Sequence, residues 1–304
     1  MLSPIKNLLI VCLIVGLCLF LGWFYLHNKS MLKPHVAFQN GFFARSSSQP
    51  DLIALRGESS DFPENTLAAF QAASELSPRI ILWADVMLSQ DGVPVVTRHQ
   101  DLAVYGAENS YVPLLKFSEI QKIDAGFEFQ NSKGEHSFRD RNLHILALKE
   151  LIEAFPNHRF VLNLADDSEG FDQQLVKAIG YNDKTQRFII TSERDKILKS
   201  TRKIAPMLLY GASTPQLTQL MILANLFIES AAPLDADLLI VEKVSEKVRN
   251  SNRIHLNEKM IDEAHRRSLK VFAGDPQNLN EAHQLMQMHL DGIISSHPSS
   301  LKDL

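Results

Sequence analysis

Cysteine is scarce in this sequence of 304 residues, and its positive and negative charges nearly balance. Its two cysteines, Cys12 and Cys18, lie in an apolar run near the N-terminus, so the rest of the chain can form neither a disulfide nor a thiolate metal site. Lys and Arg number 31 against 35 Asp and Glu, which gives a formal net charge of −4. Proteins that bind nucleic acid need a basic surface for the phosphate backbone, so this balance argues against a nucleic-acid partner.

Charge is also missing from residues 8–26, which form the longest apolar run of the chain. A run of this length can cross the core of a bilayer and exceeds the apolar part of a cleaved signal peptide. Trp23 and Tyr25 near its end suit the membrane interface, and residues 27–29 offer no small-residue cleavage site. We therefore predict an uncleaved membrane anchor.

The anchor divides the chain into three parts. Residues 1–30 form the anchor, residues 31–50 form a polar tether, and residues 51–304 form one folded domain. A single N-terminal anchor before a large domain favours export of that domain.

Beyond residue 50, short apolar runs alternate with amphipathic segments, which is typical of parallel βαβ units. The predicted strands are residues 52–55, 79–86, 93–96, 159–164, 187–191, 207–210, 238–241, 269–272 and 292–295. The predicted helices include residues 114–124, 148–155, 171–179, 196–204 and 216–230. The last of these is unusually apolar, and we expect a helix packed on both sides rather than one that touches a membrane.

Three motifs occur in order along this domain. They are P-E-N-T-L-A-A-F at residues 63–70, D-G-V-P-V-V at residues 91–96 and D-G-I-I-S-S-H-P at residues 291–298. Together they resemble the glycerophosphodiester phosphodiesterase family. The resemblance implies an α/β fold, a (β/α)8 TIM barrel with an insertion at residues 102–142.

The resemblance also implies a chemistry. Two histidines act as acid and base, a divalent metal (Mg²⁺ or Ca²⁺) held by carboxylates polarises the phosphate, and an arginine and a lysine neutralise its charge. In this sequence, however, Leu55 stands in place of the first histidine and Trp83 in place of a metal-binding glutamate. Ala165 and Asp167 stand in place of a second glutamate and the lysine.

Five residues remain as candidates for the site. Arg56 and Arg98 could bind phosphate, His99 could act as acid or base, and Asp85 and Asp167 could form a displaced metal site. Strand alternation places Trp83 and Asp85 on one face, but it would turn His99 away from Arg98 unless a bulge intervenes.

Two positions have competing interpretations. Residues 166–168 can equally cap the next helix, which we favour over a metal role for Asp167. Ala273 and Gly274 replace an aromatic residue and its neighbour in the family pattern, and they would leave room beside the site.

The leading hypothesis is a membrane-anchored member of this family with a degenerate active site. It would bind a phosphodiester or a lipid head group with weak or no hydrolysis. A phosphodiesterase with a rearranged site is the alternative. A third hypothesis is a membrane-tethered module that recruits a protein partner through residues 102–142.

Overall fold

The computed structural model describes residues 3–29, 40–43, 49–131, 133–182, 185–241, 256–276 and 278–301. Eight parallel strands within these ranges form a barrel, and a ninth pairs beside it. The strands are β1 (Asp51–Leu55), β2 (Ile81–Leu88), β3 (Pro94–Val96), β4 (Arg159–Leu164), β5 (Phe188–Thr191), β6 (Leu209–Tyr210), β7 (Leu238–Val241), β8 (Lys270–Gly274) and β9 (Gly292–Ser295).

The sheet runs in the order β6-β5-β4-β2-β1-β9-β8-β7. A parallel bridge between Gly211 and Leu238 joins its two ends, and the Ala212 amide donates to the Leu238 carbonyl at 2.8 Å. The predicted TIM barrel is confirmed. Strand β3 pairs antiparallel with β2 and extends it as a hairpin, so it is not a barrel strand.

Helices connect the strands as the sequence pattern predicts. They are α1 (Ser3–Lys29), α2 (Leu67–Leu76), α3 (Phe117–Ile120), α4 (Leu148–Ala154), α5 (Phe171–Ala178), α6 (Asp195–Ile204), α7 (Thr214–Asn225), α8 (Glu258–Arg266) and α9 (Leu279–Gln287). The expected helix over residues 114–124 is reduced to the single turn of α3.

Helix α7 is shorter and less enclosed than the sequence suggests. It stops at Asn225 because Phe227 adopts a left-handed conformation, with φ of 61°, and the Ile228 amide donates back to the Leu223 carbonyl. Leu226 is 61% exposed and Phe227 is 69% exposed. The prediction that this helix is packed on both sides is wrong.

The inside of the barrel is filled by apolar side chains from its strands. Phe42, fully buried, belongs to the same cluster. Its carbonyl accepts from Arg159 Nη1 at 3.0 Å, and the Arg159 guanidinium pairs with Asp51 at the start of β1. The segment 40–43 therefore closes the N-terminal end of the barrel, although the sequence places it in the tether.

The insertion packs on the β2–β3 hairpin. Leu102, Val112 and Ile120 are fully buried against Met87 and Val95. The segment therefore packs against the barrel domain on this side and is not a separate unit.

Helix α1 lies outside this core and approaches the turn Glu229–Ala231. Its segment Lys6–Tyr25 is long and apolar enough to cross a membrane, and it is not buried by the rest of the protein. An anchor or a signal sequence would have this character, so the choice between them stays a prediction.

Candidate functional site

The polar side chains converge at the C-terminal ends of the strands, where TIM barrels carry their sites. Arg56 follows β1 directly and has a φ of 61°; Gly57 comes next with a φ of 88°. A Cβ atom on Gly57 would lie 2.5 Å from the backbone carbon of Ala69 in α2. Only glycine allows this close approach, which fixes the backbone that presents Arg56.

Asp85 is the centre of the inner part of the site and is fully buried on β2. Its Oδ2 accepts from Arg56 Nε at 2.5 Å and from Asn65 Nδ2 at 3.2 Å. Its Oδ1 accepts from Asn163 Nδ2 at 2.7 Å and from Trp83 Nε1 at 3.2 Å. Each oxygen therefore has two donors, which uses its lone pairs.

Asn65 forms hydrogen bonds with both the side chain and the backbone of Asp85. Its Oδ1 accepts from the Asp85 amide at 3.2 Å, and its backbone has a φ of 59°. The N-cap of α2 is Thr66, whose hydroxyl oxygen accepts from the Ala69 amide. Thr66 rather than Asn65 therefore caps α2, and the Asn65 side chain serves the site.

Glu64 is the centre of the outer part of the site. Its Oε1 lies 2.5 Å from Arg98 Nε and 3.1 Å from His99 Nε2, and its Oε2 lies 3.8 Å from Arg56 Nε. Burial would raise the pKa of Glu64, but the hydrogen bond from His99 and the charges of Arg56 and Arg98 outweigh it and lower the pKa. Arg56 thus joins the inner carboxylate to the outer one.

Arg98 and His99 both reach this site. Strand β3 ends at Val96, so the alternation of an extended strand does not apply to the residues after it. The His99 amide donates to Thr97 Oγ1 at 3.2 Å, which turns the chain, and the His99 ring packs edge-on against Tyr105. Burial raises the pKa of Tyr105 to about 12, so its hydroxyl stays neutral beside His99.

Asp167 lies outside this network. Its side chain is 42% exposed and pairs with Arg194 at 3.7 Å. Asp166 accepts from the Ser168 amide at 2.7 Å and from the Leu88 amide of β2 at 2.9 Å. Helix α5 begins instead after Gly170 without a side-chain cap, so the capping prediction is wrong.

Leu55 and Trp83 are neighbours across the sheet. The β1–β2 register pairs them directly, and both are 1% exposed within the apolar cluster inside the barrel. Trp83 and Asp85 share one face of β2, as the alternation predicts, because the indole donates to Asp85. The two side chains fill the space beneath the site with apolar volume.

Gly274 leaves no room beside the site. A Cβ atom there would lie 2.1 Å from the Ile294 carbonyl oxygen of β9. The expectation of an opened pocket at Ala273 and Gly274 is wrong, because the missing side chain allows the two backbones to approach.

A family model describes chains of this architecture. The model of the glycerophosphoryl diester phosphodiesterase family matches residues 56–300. The chain belongs to this family. The match begins at Arg56 and extends past β9, so it takes in both parts of the site.

Known relatives agree with this assignment. A glycerophosphodiester phosphodiesterase of Caldanaerobacter subterraneus subsp. tengcongensis is 34% identical over 165 residues, which cover 53% of this chain and 65% of the relative. The match thus spans less than two thirds of that relative's length.

Solved structures share the fold. The glycerophosphoryl diester phosphodiesterase domain of an uncharacterized Mycobacterium tuberculosis protein has a TM-score of 0.72 and 21% identity, and covers 84% of this chain and 99% of its own. An Oleispira antarctica phosphodiesterase, solved with its product sn-glycerol-3-phosphate, has a TM-score of 0.64 and 21% identity, and covers 84% of this chain and 96% of its own.

Members of this family generally depend on a divalent metal. At the C-terminal mouth of this barrel Asp85 does not fit a metal ligand, because its carboxylate already accepts four hydrogen bonds. Within the described ranges, a group of three side chains that could hold a cation lies elsewhere, at Glu58, Asp61 and His297.

The sequence predicted no role in the site for three of its residues, Glu64, Asn65 and Asn163. Glu64 holds Arg98 and His99, and Asn163 gives Asp85 a short hydrogen bond. Glu64 and Asn65 lie in the motif at residues 63–70, which was the signal for their role in the site.

Proposed function

We propose that the mouth of this barrel binds the phosphate of a glycerophosphodiester or a lipid head group, with weak or no hydrolysis. The saturated Asp85 is the observation that carries this proposal. General acid–base catalysis accelerates a reaction roughly 10²- to 10⁴-fold. A metal ion stabilises the transition state by several kcal/mol more. A mouth whose buried Asp85 has no lone pair left for a metal, and which lacks the first histidine that the resemblance implies, therefore favours binding over turnover.

Cationic side chains at the rim support the binding role. Arg98 is 45% exposed and Arg56 is 12% exposed, and the Glu64 carboxylate lies between them. A phosphate offers more acceptor oxygens and more negative charge than this carboxylate, so it can take over the guanidinium of Arg98. The Oleispira antarctica relative was solved with sn-glycerol-3-phosphate, which makes this compound a suitable probe.

The binding test compares arginines at the two ends of the barrel. Calorimetry of sn-glycerol-3-phosphate with the full chain in detergent should give an affinity that Arg98→Ala lowers about tenfold or more, since a hydrogen bond to a charged group contributes ~1.5–3 kcal/mol. Arg79→Ala is the matched control, because Arg79 is 47% exposed and pairs with Asp51 at the opposite end. Equal affinities for both variants would refute the assignment.

A second function is favoured by the pairing of His99 with Glu64. A carboxylate that hydrogen-bonds one ring nitrogen orients the imidazole, which suits a general acid or base. Hydrolysis of a glycerophosphodiester that survives a chelator and is lost in both His99→Ala and Glu64→Gln would support this phosphodiesterase. Full activity of either variant would exclude it.

The membrane anchor is also part of the proposal. Helix α1 has the length and hydropathy of a spanning helix, and it lies against the turn Glu229–Ala231 that follows α7. The exposed Leu226 and Phe227 directly follow α7, which supports a barrel that rests on the lipid surface. Export of the barrel and recruitment of a partner through residues 102–142 stay predictions.

A further inference from the structure

Outside the barrel mouth, a carboxylate from the first βα loop meets a histidine from the end of the chain. Glu58 follows β1 and is 3% exposed, whereas His297 follows β9. His297 Nε2 lies 3.6 Å from Glu58 Oε1 and 3.6 Å from Asp61 Oδ2. All three donor atoms lie within 4.8 Å of one another.

The hydrogen bonding of the Glu58 carboxylate is a second, independent observation. Its Oε2 accepts from the Ser299 amide at 3.0 Å, but its Oε1 is buried without a hydrogen-bond partner. A buried carboxylate oxygen without a donor is costly, and burial raises the pKa of Glu58. This oxygen points at His297, and a cation between the two would satisfy it.

The donor set matches the coordination of a small divalent cation. Metal bonds of roughly 2.0–2.2 Å to nitrogen and oxygen put neighbouring donor atoms about 3–3.5 Å apart. This is close to the 3.6 Å from His297 Nε2 to each of the two carboxylates. One imidazole and two carboxylates suit Zn²⁺ or Mn²⁺ better than Mg²⁺ or Ca²⁺, which prefer oxygen alone. Asp61 and His297 are partly exposed, so a cation could enter from solvent.

We propose that Glu58, Asp61 and His297 form a binding site for one Zn²⁺ or Mn²⁺ ion at the outer rim of the barrel. The ion would join the loop after β1 to the turn after β9, which already meet where the Ser60 amide donates to the Ser296 carbonyl at 3.0 Å. The loop after β1 also carries Arg56, Glu64 and Asn65. The ion would therefore stabilise the loop that builds the phosphate site without touching the ligand.

The test titrates the metal-free full chain in detergent with Zn²⁺, Mn²⁺, Mg²⁺ and Ca²⁺. Calorimetry and thermal unfolding should report one equivalent of Zn²⁺ or Mn²⁺ and a rise in the unfolding temperature. Glu58→Gln and His297→Asn should each weaken this binding at least tenfold. Asp61→Asn, at a side chain that is 59% exposed, serves if the buried change prevents folding.

Two control variants test whether the metal binds at this site and not elsewhere. His265→Asn removes another histidine paired with a carboxylate, Asp291 at 2.9 Å, and should leave metal binding unchanged. Asp85→Asn changes the barrel mouth and should also leave it unchanged. Failure of the wild-type chain to bind Zn²⁺ or Mn²⁺, binding that Asp61→Asn and His297→Asn leave intact, or binding lost in Asp85→Asn would each overturn the proposal.

Discussion

At the residue scale, Leu55 and Trp83 act as a pair. They are register neighbours on β1 and β2, and both point into the apolar interior beneath Asp85. By resemblance to the family, Leu55 stands at the position of a histidine and Trp83 at that of a glutamate, and the two side chains belong to one apolar cluster. These two side chains make the floor of the site hydrophobic, and the indole of Trp83 donates a hydrogen bond to Asp85.

The indole should therefore stabilise the barrel as well as fill it. Trp83→Phe removes one donor to Asp85 and some buried volume, so we expect a loss of about 1–3 kcal/mol in the free energy of unfolding. Urea unfolding measures this loss. Unchanged stability would mean that Trp83 is not part of the packed floor.

Glu64 should make stability depend on pH. Its pKa in the folded protein is lower than in the unfolded chain, so the ionised carboxylate stabilises the fold at neutral pH. This stabilisation is lost as the pH falls from about 5 through the lower folded pKa. Glu64→Gln should therefore flatten the fall in stability below about pH 5, whereas an acid limb as steep as that of the wild type would contradict this role.

At the element scale, the contact between the loop after β1 and α2 positions the site. Gly57 and Gly134 both have positive φ, 88° and 76°, but only Gly57 has backbone where a Cβ atom would lie. Gly57→Ala should thus cost about 1–3 kcal/mol more than Gly134→Ala, because the clash with α2 adds to the backbone strain. Equal losses in urea unfolding would show that this close approach is not required.

The elements themselves could be predicted from sequence. Strands β4, β7 and β9 match the predicted ranges, because strands buried on both faces give continuous apolar runs. The helix over residues 216–230 could not be bounded, since its apolar composition hides the stop at Phe227. Long-range pairs such as Asn163 with Asp85 depend on the closed barrel, which no local pattern reveals.

At the scale of the whole molecule, the two ends of the barrel have different roles. Phe42, Asp51 and Arg159 close the N-terminal end with apolar packing and a buried ion pair. The C-terminal end keeps its charged residues around Glu64, where Arg98 remains accessible to a ligand. The turn Glu229–Ala231, which contacts α1, precedes β7 and therefore belongs to the N-terminal end.

The anchor has a direct test. Cells that express the full chain should retain it in the membrane fraction after a high-salt wash, because a spanning helix is not released by screening of charge. Removal of residues 1–30 should lower this retention. Release of the full chain by salt, or its recovery in a shortened form lacking α1, would contradict an uncleaved anchor.

The central claim is that the mouth binds phosphate without the family's metal-dependent chemistry. The decisive measurement is hydrolysis of glycerophosphodiesters by the full chain in detergent, with Mg²⁺ or Ca²⁺ and with a chelator, beside an Asp85→Asn variant. We expect no metal-dependent turnover above that of the variant. Metal-dependent turnover that both the chelator and His99→Ala abolish would contradict this account and establish a rearranged phosphodiesterase.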